Sequence, residues 1–152
     1  MPKVDWESHR SEKRQLDPTV RRIRSLLTIL LLAVLAYLLL GGSFRVAFDE
    51  ESFGISAGRF GSEHIYFSDI SALELRDGPF TTGTVLDHKP SLRYAVGYYQ
   101  DGGLSGTYHL FLEKSYTGPV IILTHSNGIL VFGADSLNMQ TIYNELKTRT
   151  NL

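Results

Sequence analysis

The sequence predicts an N-terminal transmembrane helix followed by a mainly β barrel of about seven antiparallel strands with a C-terminal α-helix. Three observations carry this expectation. Twenty residues from Ser25 to Phe44, SLLTILLLAVLAYLLLGGSF, hold no charge. After Phe44 the pattern becomes short apolar runs separated by turn residues, which is how antiparallel strands read. Near the end, Met139, Ile142, Tyr143 and Leu146 recur at helical spacing and form one apolar stripe. The expected divisions are a polar tail over 1–24, a membrane helix over 25–44, and a β domain over 45–152 whose closing helix covers 136–149.

The uncharged run comes first in the chain. Nine Leu, one Ile and one Val lie between Leu26 and Leu40. At about −0.3 to −0.6 kcal/mol each on the insertion scale, they favour a bilayer by several kcal/mol. The fifteen residues from Leu26 to Leu40 cover only about 22 Å at 1.5 Å per residue, so Gly41 to Phe44 are expected to complete a hydrocarbon core of about 30 Å. A cleaved signal peptide has the same order of charge and hydrophobicity. Against cleavage stand the 24-residue leader, the length of the apolar run, and the lack of an A-x-A exit around Leu39-Leu40-Gly41-Gly42-Ser43.

Charge orients the segment. Lys13, Arg14, Arg21, Arg22 and Arg24 precede it, while only Arg45 and Arg59 follow closely. The positive-inside rule puts the N-terminus in the cytoplasm and the C-terminal domain outside the cell membrane. Residues 1–24 carry seven Lys/Arg against four Asp/Glu, and residues 45–152 carry eight against twelve. A domain at −4 lacks the concentrated basic face that nucleic acid requires. It suits an anionic lipid surface equally poorly. The chain has no cysteine, which excludes disulfides, thiolate chemistry and palmitoylation.

In the tail, Pro18 interrupts any long helix and Asp17 before it is held extended. Thr19 to Ile23 can start the membrane helix early. The first expected strand is Phe44–Phe48, then a turn at Asp49–Ser52, then Phe53–Ala57. A glycine-bounded turn at Gly58–Ser62 leads into Glu63–Phe67, and Ile70–Arg76 follows. Residues 77–90 read as a loop. Leu92–Tyr99 and Gly106–Glu113 flank the strong turn Gln100-Asp101-Gly102-Gly103. Pro119–Thr124 pairs with Ile129–Phe132 through an Asn127-Gly128 hairpin. Val120 to Leu123 is apolar at every position, so it should be an interior strand covered on both faces. Asp135 or Ser136 is the expected helix cap. Lys147 and Arg149 suit the negative end of the helix dipole.

The arrangement of strands closed by a terminal helix resembles the bacterial pleckstrin-homology-like families found in membrane-anchored Gram-positive proteins. The residues that carry the resemblance are Phe53-Gly54-Ile55, Phe67 to Leu75, Pro79, Gly97 and Gly106, Val120 to Thr124, and the helix. The resemblance covers residues 45–149. It implies a PH-like barrel without enzymatic activity, and supplies no site residues. Eukaryotic phosphoinositide-binding PH domains use a basic first loop, whereas the matching loop here is Asp49-Glu50-Glu51, which does not support headgroup binding.

Chemistry is sparse. His9, His64, His88, His109 and His125 show no metal-binding spacing. A metal site from Glu63, His64 and Asp69 is conceivable, but strand-surface residues are the better reading. Ser105 in Gly103-Leu104-Ser105-Gly106 lacks the second glycine of a nucleophile elbow. No catalytic, cofactor-binding or metal residue is therefore expected. Tyr94, Tyr98, Tyr99, Tyr108 and Tyr116 crowd the central hairpin. They read either as cross-strand packing or as an exposed surface for a protein partner. An unpaired sheet edge nearby could accept a peptide strand.

The functional expectation is a non-catalytic interaction or assembly module at the outer membrane face. Its partners are the lipid bilayer through residues 25–44 and a membrane or near-surface protein. The alternatives are an envelope ligand sensor signalling through the tail and, more distantly, a hydrolase.

Overall fold

The structure, a computed structural model, describes residues 18–40 and 42–152, with backbone only for 38–40. Most of the expected tail, including Trp6 and His9, lies outside these residues. The chain divides into two compact units, residues 1–38 and 39–152.

The first described element is helix α1, Pro18–Leu40. Proline suits the first helical turn, where its missing N–H would have no partner. Arg21, Arg22 and Arg24 occupy the next turns. The uncharged helical part, Ser25 to Leu40, is about 24 Å long at 1.5 Å per residue. Among the described residues, no helix is long and apolar enough to cross a membrane. This corrects the expected transmembrane helix over 25–44. Phe44 is not available to a bilayer: it is 5% exposed in the β core and meets Tyr94 edge-on at 5.0 Å.

The second unit contains nine strands. β1 (Arg45–Phe48), β2 (Ser52–Ser56) and β3 (Ser62–Tyr66) form an antiparallel meander. β4 (Ile70–Arg76), β5 (Thr84–His88), β6 (Tyr94–Gln100), β7 (Thr107–Glu113), β8 (Val120–His125) and β9 (Gly128–Gly133) form a six-stranded sheet in the order β4-β8-β9-β7-β6-β5. Helix α2 spans Met139–Thr150.

The barrel expectation is corrected. Among the described residues no strand ladder joins the two sheets, so the architecture is two sheets and a helix rather than a closed barrel. Two further differences stand out. β5 lies inside the expected loop, and β7 pairs with β9 in parallel, His109 opposite Leu130. The Asn-Gly hairpin is observed, with His125 opposite Gly128. So is the buried strand: Val120, Ile121, Ile122 and Leu123 are each at most 5% exposed, and β8 lies between β4 and β9.

The six-stranded sheet has an apolar cluster on each face. On one face, Phe111, Leu123 and Phe132 pack with Phe53, Ile55 and Ile65 of the meander and with Met139, Ile142 and Leu146 of α2. Phe53 and Phe132 are 5.5 Å apart between ring centroids. On the other face, Ala95, Tyr99, Leu110, Leu112, Val120 and Ile122 form a second cluster. The cap of α2 is Asn138, whose side chain accepts a 3.0 Å bond from Thr141 N, and not Asp135 or Ser136.

Candidate functional site

Strand alternation points Glu63 the same way as Ile65, into the space between the sheets. His109 on β7 shares a face with Phe111, its ring 4.6 Å away. His125 on β8 is two residues beyond Leu123. These three strands therefore deliver one carboxylate and two imidazoles to one end of the core between the sheets. Glu63 Oε2 is in close hydrogen-bond contact with His109 Nδ1, and Oε1 lies 3.3 Å from His125 Nε2. His125 is the most enclosed of the three, its side chain 5% exposed.

Tyr98 completes the group. It is opposite His109 in the β6–β7 ladder and stacks on it at 4.5 Å with the planes 13° apart. The residues border a cavity of about 170 Å³, with Thr107 and Asn127 supplying further polar atoms. That is smaller than the roughly 300–1,000 Å³ of most small-molecule sites. A carboxylate on the meander bonded to the His109 imidazole, with the His125 imidazole beside it, is a polar tie between the sheets. Among the described residues, no group of three or more His, Asp or Glu is arranged to hold a metal ion.

The metal set Glu63, His64 and Asp69 is not brought together around the carboxylate. Glu63 and His64 are neighbours on a strand and so face opposite ways. His64 Nε2 lies 2.9 Å from Ser52 Oγ, which donates to Asp49 Oδ2 at 3.4 Å. These are the residue types of a catalytic triad in the wrong order. The aspartate meets the serine and the same imidazole nitrogen, whereas a triad needs it on the far nitrogen to orient the base. Ser52 is also buried. Ser105 and His88 are exposed, in a turn and on β5 respectively.

The five tyrosines do not make one exposed surface. Tyr94, Tyr99 and Tyr108 are buried in the core, Tyr116 is partly buried, and only Tyr98 is exposed, at 49%. They also divide between faces: Tyr94 belongs to the cluster beneath the meander, while Tyr99 and Tyr108 belong to the opposite one. The hydroxyls of Tyr108 and Tyr116 are engaged in the fold. Tyr108 accepts from Gly83 N at 2.9 Å and donates to Asp101 O at 2.9 Å, and Tyr116 donates to Pro119 O at 2.8 Å. Burial pushes the hydroxyl pKa of Tyr99, Tyr108 and Tyr116 up.

On β7, Glu113 is buried and accepts from Arg93 Nε at 2.7 Å and from Asp135 N at 3.2 Å. The bond to Glu113 raises the pKa of Arg93. This pair serves the fold, closing the start of β6 onto the end of β7. Comparison with known proteins finds no matching family model, curated protein or solved structure.

Proposed function

We propose that the chain is a membrane-anchored, non-catalytic interaction module. Helix α1 would seat in the cell membrane with its N-terminus cytoplasmic, and the β domain would pair with a membrane or near-surface protein at the outer face. The observation that carries the anchoring is the surface of α1. Leu26, Leu27, Ile29, Leu30, Leu31, Leu32, Val34 and Leu35 are all 47–68% exposed. These positions encircle the helix, and a helix apolar all round has no stable place in water. The uncharged part is a few ångströms shorter than a bilayer core. Arg21, Arg22 and Arg24 can cover that difference by extending their side chains to the headgroups.

The partner surface proposed is the β5 edge. All five residues of β5 are exposed, and among the described residues β5 pairs only with β6. Val85 and Leu86 present apolar side chains there, 44% and 52% exposed. A free strand edge with apolar side chains is suited to adding an extended segment from another chain.

The absence of cysteine provides a clean test. A Leu86→Cys variant should remain with membranes through alkaline carbonate washing. In intact cells it should react with a membrane-impermeant maleimide. Release by carbonate would refute the anchor, and labelling only after lysis would refute the orientation. A photocrosslinker at Leu86 should trap a membrane or near-surface protein more efficiently than one at exposed Thr141; equal yields would refute the edge.

A further inference from the structure

The β domain is acidic overall, with twelve Asp/Glu against eight Lys/Arg, but its charges are unevenly placed. Five of the eight basic residues gather where the chain enters the domain. Gly42 lies against the rings of Phe60 and Tyr94, and its carbonyl accepts from the Tyr94 hydroxyl. Arg59 and Arg93 immediately precede these two aromatic residues, and each guanidinium lies over its neighbour's ring, 4.9 and 5.4 Å from the centroids. Lys89 Nζ donates to Arg59 O at 3.4 Å. Lys114 holds the loop before Tyr94 twice, through its N–H to Arg93 O at 2.8 Å and through Nζ to Ser91 O at 2.6 Å. Arg45 pairs with Ser56, two residues before Gly58, where a Cβ would sit 3.6 Å from Gly42 Cα.

Most of this positive charge is uncommitted. All five residues are exposed, and among the described residues only Arg93 of the five forms an ion pair, with buried Glu113. Two further acids lie close by: Asp87 shares a cavity wall with Lys89, and the Asp135 N–H binds Glu113. Elsewhere Arg76 and Arg149 are each paired with a glutamate, and the acidic run Asp49-Glu50-Glu51 follows the opposite end of β1 from Arg45. Leu92 adds an apolar element to the basic end. It adjoins Arg93 and is 64% exposed. An exposed leucine among basic side chains suits the boundary between headgroups and acyl chains.

The tether to this surface is short. Leu40 ends α1, and the two residues from there to Gly42 span at most about 7 Å. With α1 seated in the bilayer, the residues around Gly42 are held near the headgroups. We infer that this basic surface docks on anionic phospholipid headgroups, with Arg59, Lys89 and Lys114 meeting the phosphates and Leu92 entering the acyl boundary. The inference rests on the anchoring proposed above and uses no residue of β5. The domain's net negative charge does not oppose it, because attraction to a charged surface acts within about a Debye length, roughly 8 Å at physiological salt.

The test uses the full chain in phosphatidylcholine nanodiscs, with or without phosphatidylglycerol. The chain has no cysteine, so Leu92→Cys places one fluorophore on the loop and Glu50→Cys places one beyond the opposite end of β1. Quenching by a headgroup spin-labelled lipid reports contact with the surface. The dye at position 92 should be quenched several-fold more with phosphatidylglycerol than without, and high salt should remove the difference. The dye at position 50 should respond to neither. Arg59→Gln and Lys89→Gln should each lower the ratio of docked to undocked domain about five-fold, the worth of one basic residue at an anionic surface. Arg59→Lys, which keeps the charge, should leave the ratio near its starting value. Equal quenching at both positions, no dependence on phosphatidylglycerol, or an unchanged ratio in both Gln variants would each overturn the inference. Release by inorganic phosphate at constant ionic strength would overturn the lipid source in favour of a free anion. Failure of the chain to elute with the nanodiscs would refute the anchoring and the inference together; elution with them but no contact at position 92 would overturn the inference alone.

Discussion

The Tyr94 hydroxyl donates a 2.8 Å hydrogen bond to the carbonyl of Gly42, joining positions 52 residues apart. Gly42 has φ +140, and a Cβ there would sit 3.0 Å from Phe60 Cε2 and 3.2 Å from Tyr94 Cε2. Both the conformation and the close approach require glycine. Tyr94→Phe should lower stability by about 1 kcal/mol, the net worth of one hydrogen bond. Gly42→Ala should cost more, because strain and crowding add. Urea unfolding checks both, with midpoints falling and slopes unchanged. An unaltered midpoint in Gly42→Ala would refute the role given to the ring contacts.

Glu63 ties the two sheets through His109 and His125. Glu63→Ala removes the hydrogen-bond partner of the half-buried His109 imidazole, which should cost about 1–3 kcal/mol. The double variant with His125→Ala should lose less than the sum of the single losses, with a coupling of at least about 0.5 kcal/mol. Strict additivity in the thermodynamic cycle would show that the two side chains do not support each other.

How far this tie was legible in the sequence depends on which residues are considered. Alternation alone separates Tyr94 and Tyr98 from Tyr99, so the division of the tyrosines between two faces could have been read in advance. The meeting of Glu63, His109 and His125 could not. They lie on strands far apart in the chain, and their register follows from the parallel β7–β9 pair, which leaves no local mark. β5 was missed because a strand exposed at every position shows no apolar alternation. The interior strand Val120–Leu123 and the Asn127-Gly128 turn were readable because their signals are local. Asn138 was passed over because Asp135 and Ser136 also qualify as caps, and the extended backbone before Met139 decides among them.

Stability should fall at alkaline pH. Burial makes the phenolate costlier in the folded state, so Tyr99, Tyr108 and Tyr116 hold their protons above the ordinary value of 10.0. Below that value both states stay protonated and the contribution is fully present. Above it the unfolded chain releases protons that the folded one retains, so stability declines as pH rises. Thermal melting between about pH 9 and 11 should show the decline, and Tyr99→Phe should make it shallower. A flat profile would contradict the burial argument.

Asn138 caps α2 through Thr141 N. Asn138→Ala should cost about 1 kcal/mol, and Asn138→Ser much less. Equal losses in chemical denaturation would mean that the cap bond contributes little. Asp135→Ala offers a contrast, since its backbone N–H, which binds Glu113, survives the substitution.

The place of β9 in the sheet constrains how the protein is made. β5, β6 and β7 form one antiparallel group, and β4 with β8 another; only β9 joins them. A nascent chain ending before residue 128 would hold two separate fragments of sheet, each with an apolar edge. Final assembly must wait until residues 128–133 have been synthesised and inserted between strands already formed. Non-local pairing of this kind slows folding and prolongs the exposure of free strand edges. Loss of the last sixth of the chain, from residue 128 onward, would therefore remove the piece that makes the rest a single sheet.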